Sequence, residues 1–306
     1  MNDPRRRTLL KAMLAAAGWA VARRVAASEE RRMLTRKIPS SGEALPAVGV
    51  GTSGAFEVGA SDAERAPIVE VMEALVAAGA SVVDTSPMYG TAEGVVGDVA
   101  AKLSATGKLF LATKVWTTGR AEGIRQMEQS FERLKTKRID LMQVHNLVDW
   151  RTQLSTVRAW KTEGRIRYAG ITHYRVDAYR DLEAVMKDEP IDFVQLNYSA
   201  LTRDAEKRLL PLAADRGVAV LVNRPFEDGA IFSRVRGRAL PPWAAEIGCE
   251  SWAQILLKYV LAHPAVTCVI PATAKAAHMR DDLAAASGPL PDAAFRAKIV
   301  EAVEAS

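Results

Sequence analysis

Three observations predict an α/β chain folded as a single-domain (β/α)8 TIM barrel. Eight short apolar runs recur along the chain. Stretches with apolar residues at helical spacing lie between them. The series fits within 306 residues without a linker or a low-complexity segment. Such a barrel occupies roughly 250 residues, so the length is sufficient with a little to spare. An open doubly wound sheet alternates in the same way, but no GxGxxG follows the first strand, so that architecture lacks its phosphate loop here.

The elements follow in order. Leu34 to Pro39 and Ala44 to Val50 read as short strands around a Ser-Ser-Gly turn, an N-terminal β-hairpin ahead of the barrel. Barrel strands are expected at 47–50, 81–84, 109–114, 139–145, 166–171, 192–197, 218–222 and 267–270. Helices are expected over 62–78, 93–103, 123–134, 153–162, 176–187, 204–216, 250–262 and 275–286, with an extra C-terminal helix over 291–305. The first of them shows the logic. Ile68, Met72, Leu75 and Val76 form one stripe, Ser61 or Asp62 caps its start, and Gly79 ends it. About two dozen residues between Val222 and Glu250 carry Pro225, Gly229, Gly237, Pro241, Pro242 and Gly248, a length and composition typical of a binding loop.

Charge is distributed unevenly. Residues 1–27 hold six basic residues against Asp3 alone, while the rest balances 35 basic against 35 acidic residues, which argues against nucleic acid as a partner of the body. Arg6-Arg7-Thr8-Leu9-Leu10-Lys11 is followed by an apolar stretch from Ala12 to Ala22, too short to span a bilayer, and then by Arg23-Arg24-Val25-Ala26-Ala27. This pattern resembles a twin-arginine export signal. Residues 1–27 are therefore expected to be a signal peptide read by the twin-arginine machinery, and residues 28–306 a barrel exported folded to the periplasm. Membrane contact is expected only through an uncleaved leader; a basic amphipathic helix lying on a membrane is the alternative. Cys249 and Cys268 read as two small buried thiols rather than a disulfide framework.

In a (β/α)8 barrel the reactive side chains project from the C-terminal ends of the strands. Asp84 ends the second strand, with Tyr89 in the following loop; Lys114 ends the third and His145 the fourth. Together they form a proton-transfer unit. A Lys114 ammonium beside the phenol is expected to lower the pKa of Tyr89, Asp84 to hold Lys114 charged, and His145 to orient a carbonyl oxygen by a hydrogen bond. Asp84 and His145 as metal ligands of a hydrolase is a weaker reading, because the strand ends offer too few further ligands.

The motifs GVGT at 49–52, DTSPMYG at 84–90, TKVW at 113–116, DLMQVHN at 140–146, GITHY at 170–174, FVQLNYS at 193–199 and IPATAK at 270–275 occur in series. With them the chain resembles an aldo-keto reductase from about Val48 to Leu283. The resemblance implies a nicotinamide cofactor, an Asp84-Tyr89-Lys114-His145 tetrad and a small-molecule aldehyde or ketone as substrate. It also implies cofactor contacts from Gly51, Thr52 and Asp84, from Thr172 and His173 in place of the family's Ser-Asn pair, and from Gln195. After the seventh strand it implies Asn223, Arg224, Pro225 and Phe226, with Asn223 where an aromatic residue commonly stacks. After the eighth it implies Pro271, Ala272, Thr273, Lys275, His278, Asp281 and Asp282. Lys275 is expected to pair with a 2′-phosphate, favouring NADP over NAD. His278 stands where many members have arginine, and Asp281-Asp282 where a Glu-Asn pair is common. Phe56, Met88, Trp116 and Trp150 are expected to line the substrate pocket, with Trp243 contributed by the long loop. The reading that follows is an NAD(P)H-dependent carbonyl reductase with Tyr89 as general acid. A cofactor-binding sensor or partner module with little turnover is the alternative, favoured by the missing ring at Asn223.

Overall fold

The computed structural model describes residues 33–305. The expected leader lies outside the described residues. The chain enters through an antiparallel hairpin of β1 (Thr35–Lys37) and β2 (Ala44–Pro46). Then come eight parallel strands: β3 (Val50–Gly51), β4 (Val82–Asp84), β5 (Phe110–Val115), β6 (Ile139–His145), β7 (Ile166–His173), β8 (Phe193–Asn197), β9 (Ala219–Asn223) and β10 (Val266–Val269). Each strand pairs with the next in sequence order. The circle closes where Gly49 N–H donates to Val269 O at 2.9 Å, Val269 N–H to Ala47 O at 2.9 Å, and Gly51 N–H to Pro271 O at 3.0 Å. Two glycines permit the close approach of the first barrel strand to its two neighbours, Gly49 toward β4 and Gly51 toward the closing strand. A Cβ at Gly49 would sit 2.6 Å from the Val82 Cβ, and one at Gly51 would sit 2.9 Å from Ile270 O.

Helices α1 (Asp62–Ala77), α2 (Ala92–Lys102), α3 (Arg120–Leu134), α4 (Trp150–Thr162), α5 (Tyr179–Asp188), α6 (Leu209–Arg216), α7 (Trp252–Leu261) and α8 (Ala276–Ala284) form the outer ring, and α9 (Ala293–Glu304) is the extra C-terminal helix. The start of α1 is a capping box: Ser61 Oγ accepts from Glu64 N–H and Glu64 Oε2 accepts from Ser61 N–H. Two expected helices open with a 3-10 turn, so their α-helical part begins later than the periodicity predicts. The stretch 176–178 is a 3-10 turn before α5, and 204–207 is another before α6. Pro211 accounts for the second difference: a helix from 204 would place it in the interior, whereas a start at Leu209 leaves it in the tolerant first turn.

The barrel is a packed core. At its N-terminal end Ile38 and Leu45 of the hairpin join Val82, Phe110, Leu141, Tyr168, Phe193, Leu221 and Cys268 in one buried cluster. The rings of Phe110, Tyr168 and Phe193 meet pairwise at 5.4 to 6.0 Å. Tyr168 Oη donates to Glu43 Oε2 at 2.6 Å and lies 2.8 Å from Ser41 Oγ, which pins the hairpin across the barrel floor. The opposite end is left open for chemistry.

Candidate active site

Strand alternation determines which side chains meet at the open end. Val82 faces the interior, so Asp84 does too. Phe110 and Ala112 face inward, followed by Lys114; Leu141 is followed by Gln143 and His145, Phe193 by Gln195, and Leu221 by Asn223. The interior is thus apolar at the floor and polar at the top.

Lys114 Nζ donates to Asp84 Oδ2 at 2.6 Å and to Thr85 O at 2.7 Å. The Lys114 side chain is 0% exposed and that of Asp84 4%. The other carboxylate oxygen, Asp84 Oδ1, accepts from Gln143 Nε2 at 3.0 Å and Gln195 Nε2 at 2.8 Å. A buried charge pair of this kind survives only with its remaining valences satisfied, and here the two glutamines satisfy them. Burial works against the Lys114 charge, but Asp84 and Tyr89 outweigh it and raise Lys114 above the usual lysine range.

Tyr89 enters from the loop after β4. Its N–H donates to Ser86 O at 3.0 Å, and Gly90 follows with φ +47°. The Lys114 Nζ lies 5.0 Å from the centroid of the Tyr89 ring, and the His145 ring stands edge-on to it at 5.8 Å and 88°. The expectation for the phenol is reversed: burial raises the Tyr89 pKa above the ordinary tyrosine value and outweighs the opposing pull of Lys114, with Asp84 adding to the rise. The phenol therefore holds its proton at neutral pH. His145 is pushed down to about 2 by burial, then by Lys114 and His173, so its ring is neutral. Its Nδ1 lies 3.1 Å from Ser86 Oγ.

These groups open onto a cavity of about 1040 Å³ that continues to the N-terminal end of α7 and along α8. Gly51, Thr52, Thr172 and Gln195 line it near Asp84, Tyr89 and His145. Asn223 through Phe226, Pro271 through Thr273, and His278, Asp281 and Asp282 line the rest. The long loop contributes Asp228, Gly229 and Phe232 as well. Asp228 and Gly229 take φ of +54° and +90°, and the rings of Phe226 and Phe232 are 5.0 Å apart.

Several expected residues lie elsewhere. Phe56 is fully buried in the outer core, because its N–H turns back to Thr52 O at 3.0 Å, and it does not line the cavity. Trp150 packs at the start of α4 under the Arg151 guanidinium, and Trp243 packs edge-on against Phe295 of α9; neither lines the cavity. His173 stacks on Tyr174 with ring centroids 5.6 Å apart, and its Nδ1 accepts from Arg175 N–H at 3.1 Å; it too is off the cavity wall. Lys275 is exposed at the N-cap of α8, outside the lining, where its N–H donates to Thr273 Oγ1 at 3.1 Å. Met88 and Trp116 do line the cavity, and with Tyr174 they form an exposed apolar rim.

The residues present fit a polar, extended ligand. Thr52 Oγ1, Asn146 Oδ1 and Asn223 Oδ1 are buried, lack a hydrogen-bond partner and belong to residues that line the cavity. Such atoms are costly to leave unpaired, and a bound nicotinamide cofactor offers the missing partners. Gln195 is more constrained than expected: its Nε2 is committed to Asp84, while its Oε1 accepts from Thr172 Oγ1 at 3.0 Å and Asn223 Nδ2 at 3.2 Å. At the far end Asp282 is 3% exposed, and burial, then the neighbouring Asp281, push its carboxyl up to about 8. Asp281 Oδ1 accepts from Gln254 Nε2 at 2.6 Å.

Strand-end reading passes over Gln143, which holds Asp84, and over Asn146, Tyr174, Asp228, Gly229 and Phe232, which line the cavity. Gln143 was findable as the inward neighbour two residues before His145. Tyr174 immediately follows the Thr172-His173 pair. Among the described residues no group of three or more His, Cys, Asp or Glu side chains is placed to hold a metal ion.

A model of the Aldo/keto reductase family matches residues 47–303. The chain is similar to methylglyoxal reductase YeaE of Escherichia coli (strain K12), with 30% identity over 264 residues that cover 82% of this chain and 89% of that protein. It is similar to aldo-keto reductase str7 of Strobilurus tenacellus, 29% identical over 78% of this chain and 81% of that one. Among solved structures it is similar to the thermostable aldo-keto reductase Tm1743 in complex with the inhibitor epalrestat (TM-score 0.73, 26% identity, 89% of this chain and 100% of that one). It also shares its fold with the aldo-keto reductase of Klebsiella pneumoniae in complex with NADPH (TM-score 0.73, 24% identity, 88% of this chain and 95% of that one). The matched span takes in all eight barrel strands and the four residues that meet at their open ends, and the chain belongs to the aldo/keto reductase family.

Proposed function

We propose that the protein is an NADP(H)-dependent oxidoreductase that reduces aldehydes or ketones to alcohols. The observation that carries the reading is the sealed Asp84–Lys114 pair, with Tyr89 and His145 beside it on a cavity lined by unsatisfied buried polar atoms. When bound, a reduced nicotinamide supplies the hydride. Tyr89, kept protonated by burial, gives its proton to the carbonyl oxygen as negative charge develops there. Lys114 stabilises the phenolate left behind, and Asp84 holds that ammonium in place. His145, neutral, donates a hydrogen bond that orients the carbonyl without itself needing to be protonated. The E. coli relative is named a methylglyoxal reductase, which supports small aldehydes as the first substrates to try. The apolar rim of Met88, Trp116 and Tyr174 accommodates a larger apolar body. The complex of the Klebsiella pneumoniae structural relative with NADPH supports the choice of cofactor.

The direct test is an NADPH titration of the purified protein, followed by a panel of aldehydes and ketones that includes methylglyoxal. Binding with NADPH oxidation is the expected result. Binding without turnover on any carbonyl would transfer the assignment to the sensor or partner module that Asn223 favours. We further propose that residues 1–27 direct twin-arginine export of the folded protein to the periplasm, with Arg6 and Arg7 as the recognised pair.

A further inference from the structure

We propose that Ser86 is a positioning residue that fixes which nitrogen of His145 carries the proton. The inference rests on the catalytic reading above for its consequence, but not for its geometry. Ser86 and His145 are both buried, 59 positions apart, with Ser86 Oγ 3.1 Å from His145 Nδ1. Ser86 Oγ also accepts from the backbone N–H of Met88 at 3.3 Å. A hydroxyl has one proton to give. With the Met88 N–H already pointing at the oxygen, the arrangement that satisfies every group sends the Ser86 proton to Nδ1. The reverse arrangement, with Nδ1 protonated and donating to Ser86, leaves the buried Ser86 hydroxyl proton with no acceptor.

His145 is then the Nε2–H tautomer, and Nε2 is the nitrogen left to donate to a ligand in the cavity. The ring is neutral, so the tautomer, and not the charge, decides whether it offers a donor or an acceptor there. Ser86 lies between Asp84 and Tyr89, so the loop that carries the acid also locks the orienting group. Its position two residues after the inward-facing Asp84 turns the DTSPMYG stretch from two functional residues into three.

The chain has four histidines, which makes the test tractable. In 15N-histidine-labelled protein without substrate, with a His145→Asn sample to assign the signals, His145 should show an unprotonated Nδ1 at the shift of a hydrogen-bond acceptor and a protonated Nε2. Ser86→Ala should move Nδ1 to the shift of a nitrogen with no hydrogen bond. It should also lower kcat on an aldehyde roughly tenfold while leaving NADPH affinity unchanged. A protonated Nδ1 in the parent protein overturns the proposal, and that measurement stands even if the variant fails to fold. An Nδ1 signal that Ser86→Ala leaves unmoved also overturns it. Absence of turnover in the parent would count against the catalytic reading alone, since the nitrogen shifts are read without it.

Discussion

Lys114 Nζ lies 2.6 Å from Asp84 Oδ2 inside the top of the barrel, with the two side chains 0% and 4% exposed. A charge pair so enclosed is poor evidence of stabilisation, since the cost of desolvating both ions offsets their attraction. Removing one partner is another matter. Lys114→Met leaves a buried carboxylate held only by the amides of Gln143 and Gln195, and should cost about 3–5 kcal/mol in denaturant unfolding. Adding Asp84→Asn should recover much of that stability and none of the activity. The pair exists for chemistry if stability returns without turnover.

The pH dependence of kcat/KM separates the roles of Tyr89 and His145. His145 is pushed down to about 2, so no limb from it should appear across about pH 5 to 8, the interval where an ordinary histidine titrates. Tyr89 is raised above the ordinary phenol, so activity should fall only at alkaline pH, as the acid loses its proton. A Tyr89→Phe enzyme assayed in the same way should lose that limb together with its rate.

Much of this site is legible in the sequence, because alternation along a strand is a strict rule. Once Phe110 is taken as interior, Lys114 must be interior too. The same rule contains Gln143, but DLMQVH reads as one apolar run ending in a histidine, and the glutamine inside it passes as strand filler. The direction of the Tyr89 shift was not legible. Sequence reveals the lysine beside the phenol, whereas the desolvation that outweighs it depends on how the loop closes. Phe56 and Trp150 show the complementary limit. A ring beside a motif can face the cavity or the outer helical layer, and only the local turn decides, as the Phe56 N–H to Thr52 O bond does here.

Asp282 offers a test by linkage. Its folded pKa of about 8 lies above the unfolded aspartate value of about 4. Between those values the folded state keeps a proton that the unfolded state has lost. Stability should therefore fall as pH rises through that window, by up to about 1.4 kcal/mol per unit, and level off above it. Asp282→Asn removes the titration. Its melting temperature should exceed that of the parent at neutral pH, and the difference should vanish near pH 4, as calorimetry at several pH values would reveal.

The leader can be tested independently of the enzyme. Replacing Arg6 and Arg7 together by Lys keeps the charge of the segment and removes the twin arginine. Cell fractionation should then find the protein retained in the cytoplasm. Undiminished periplasmic accumulation would contradict the export reading and leave the barrel chemistry untouched.

The central claim is that Tyr89 delivers the proton while the cofactor delivers hydride. The measurement that tests it most directly is single-turnover oxidation of bound NADPH by an aldehyde, compared between the parent protein and Tyr89→Phe, with NADPH affinity measured for both by fluorescence. The account predicts nearly equal affinity and a rate at least about a hundredfold lower in the variant. Equal rates at equal affinity would contradict it.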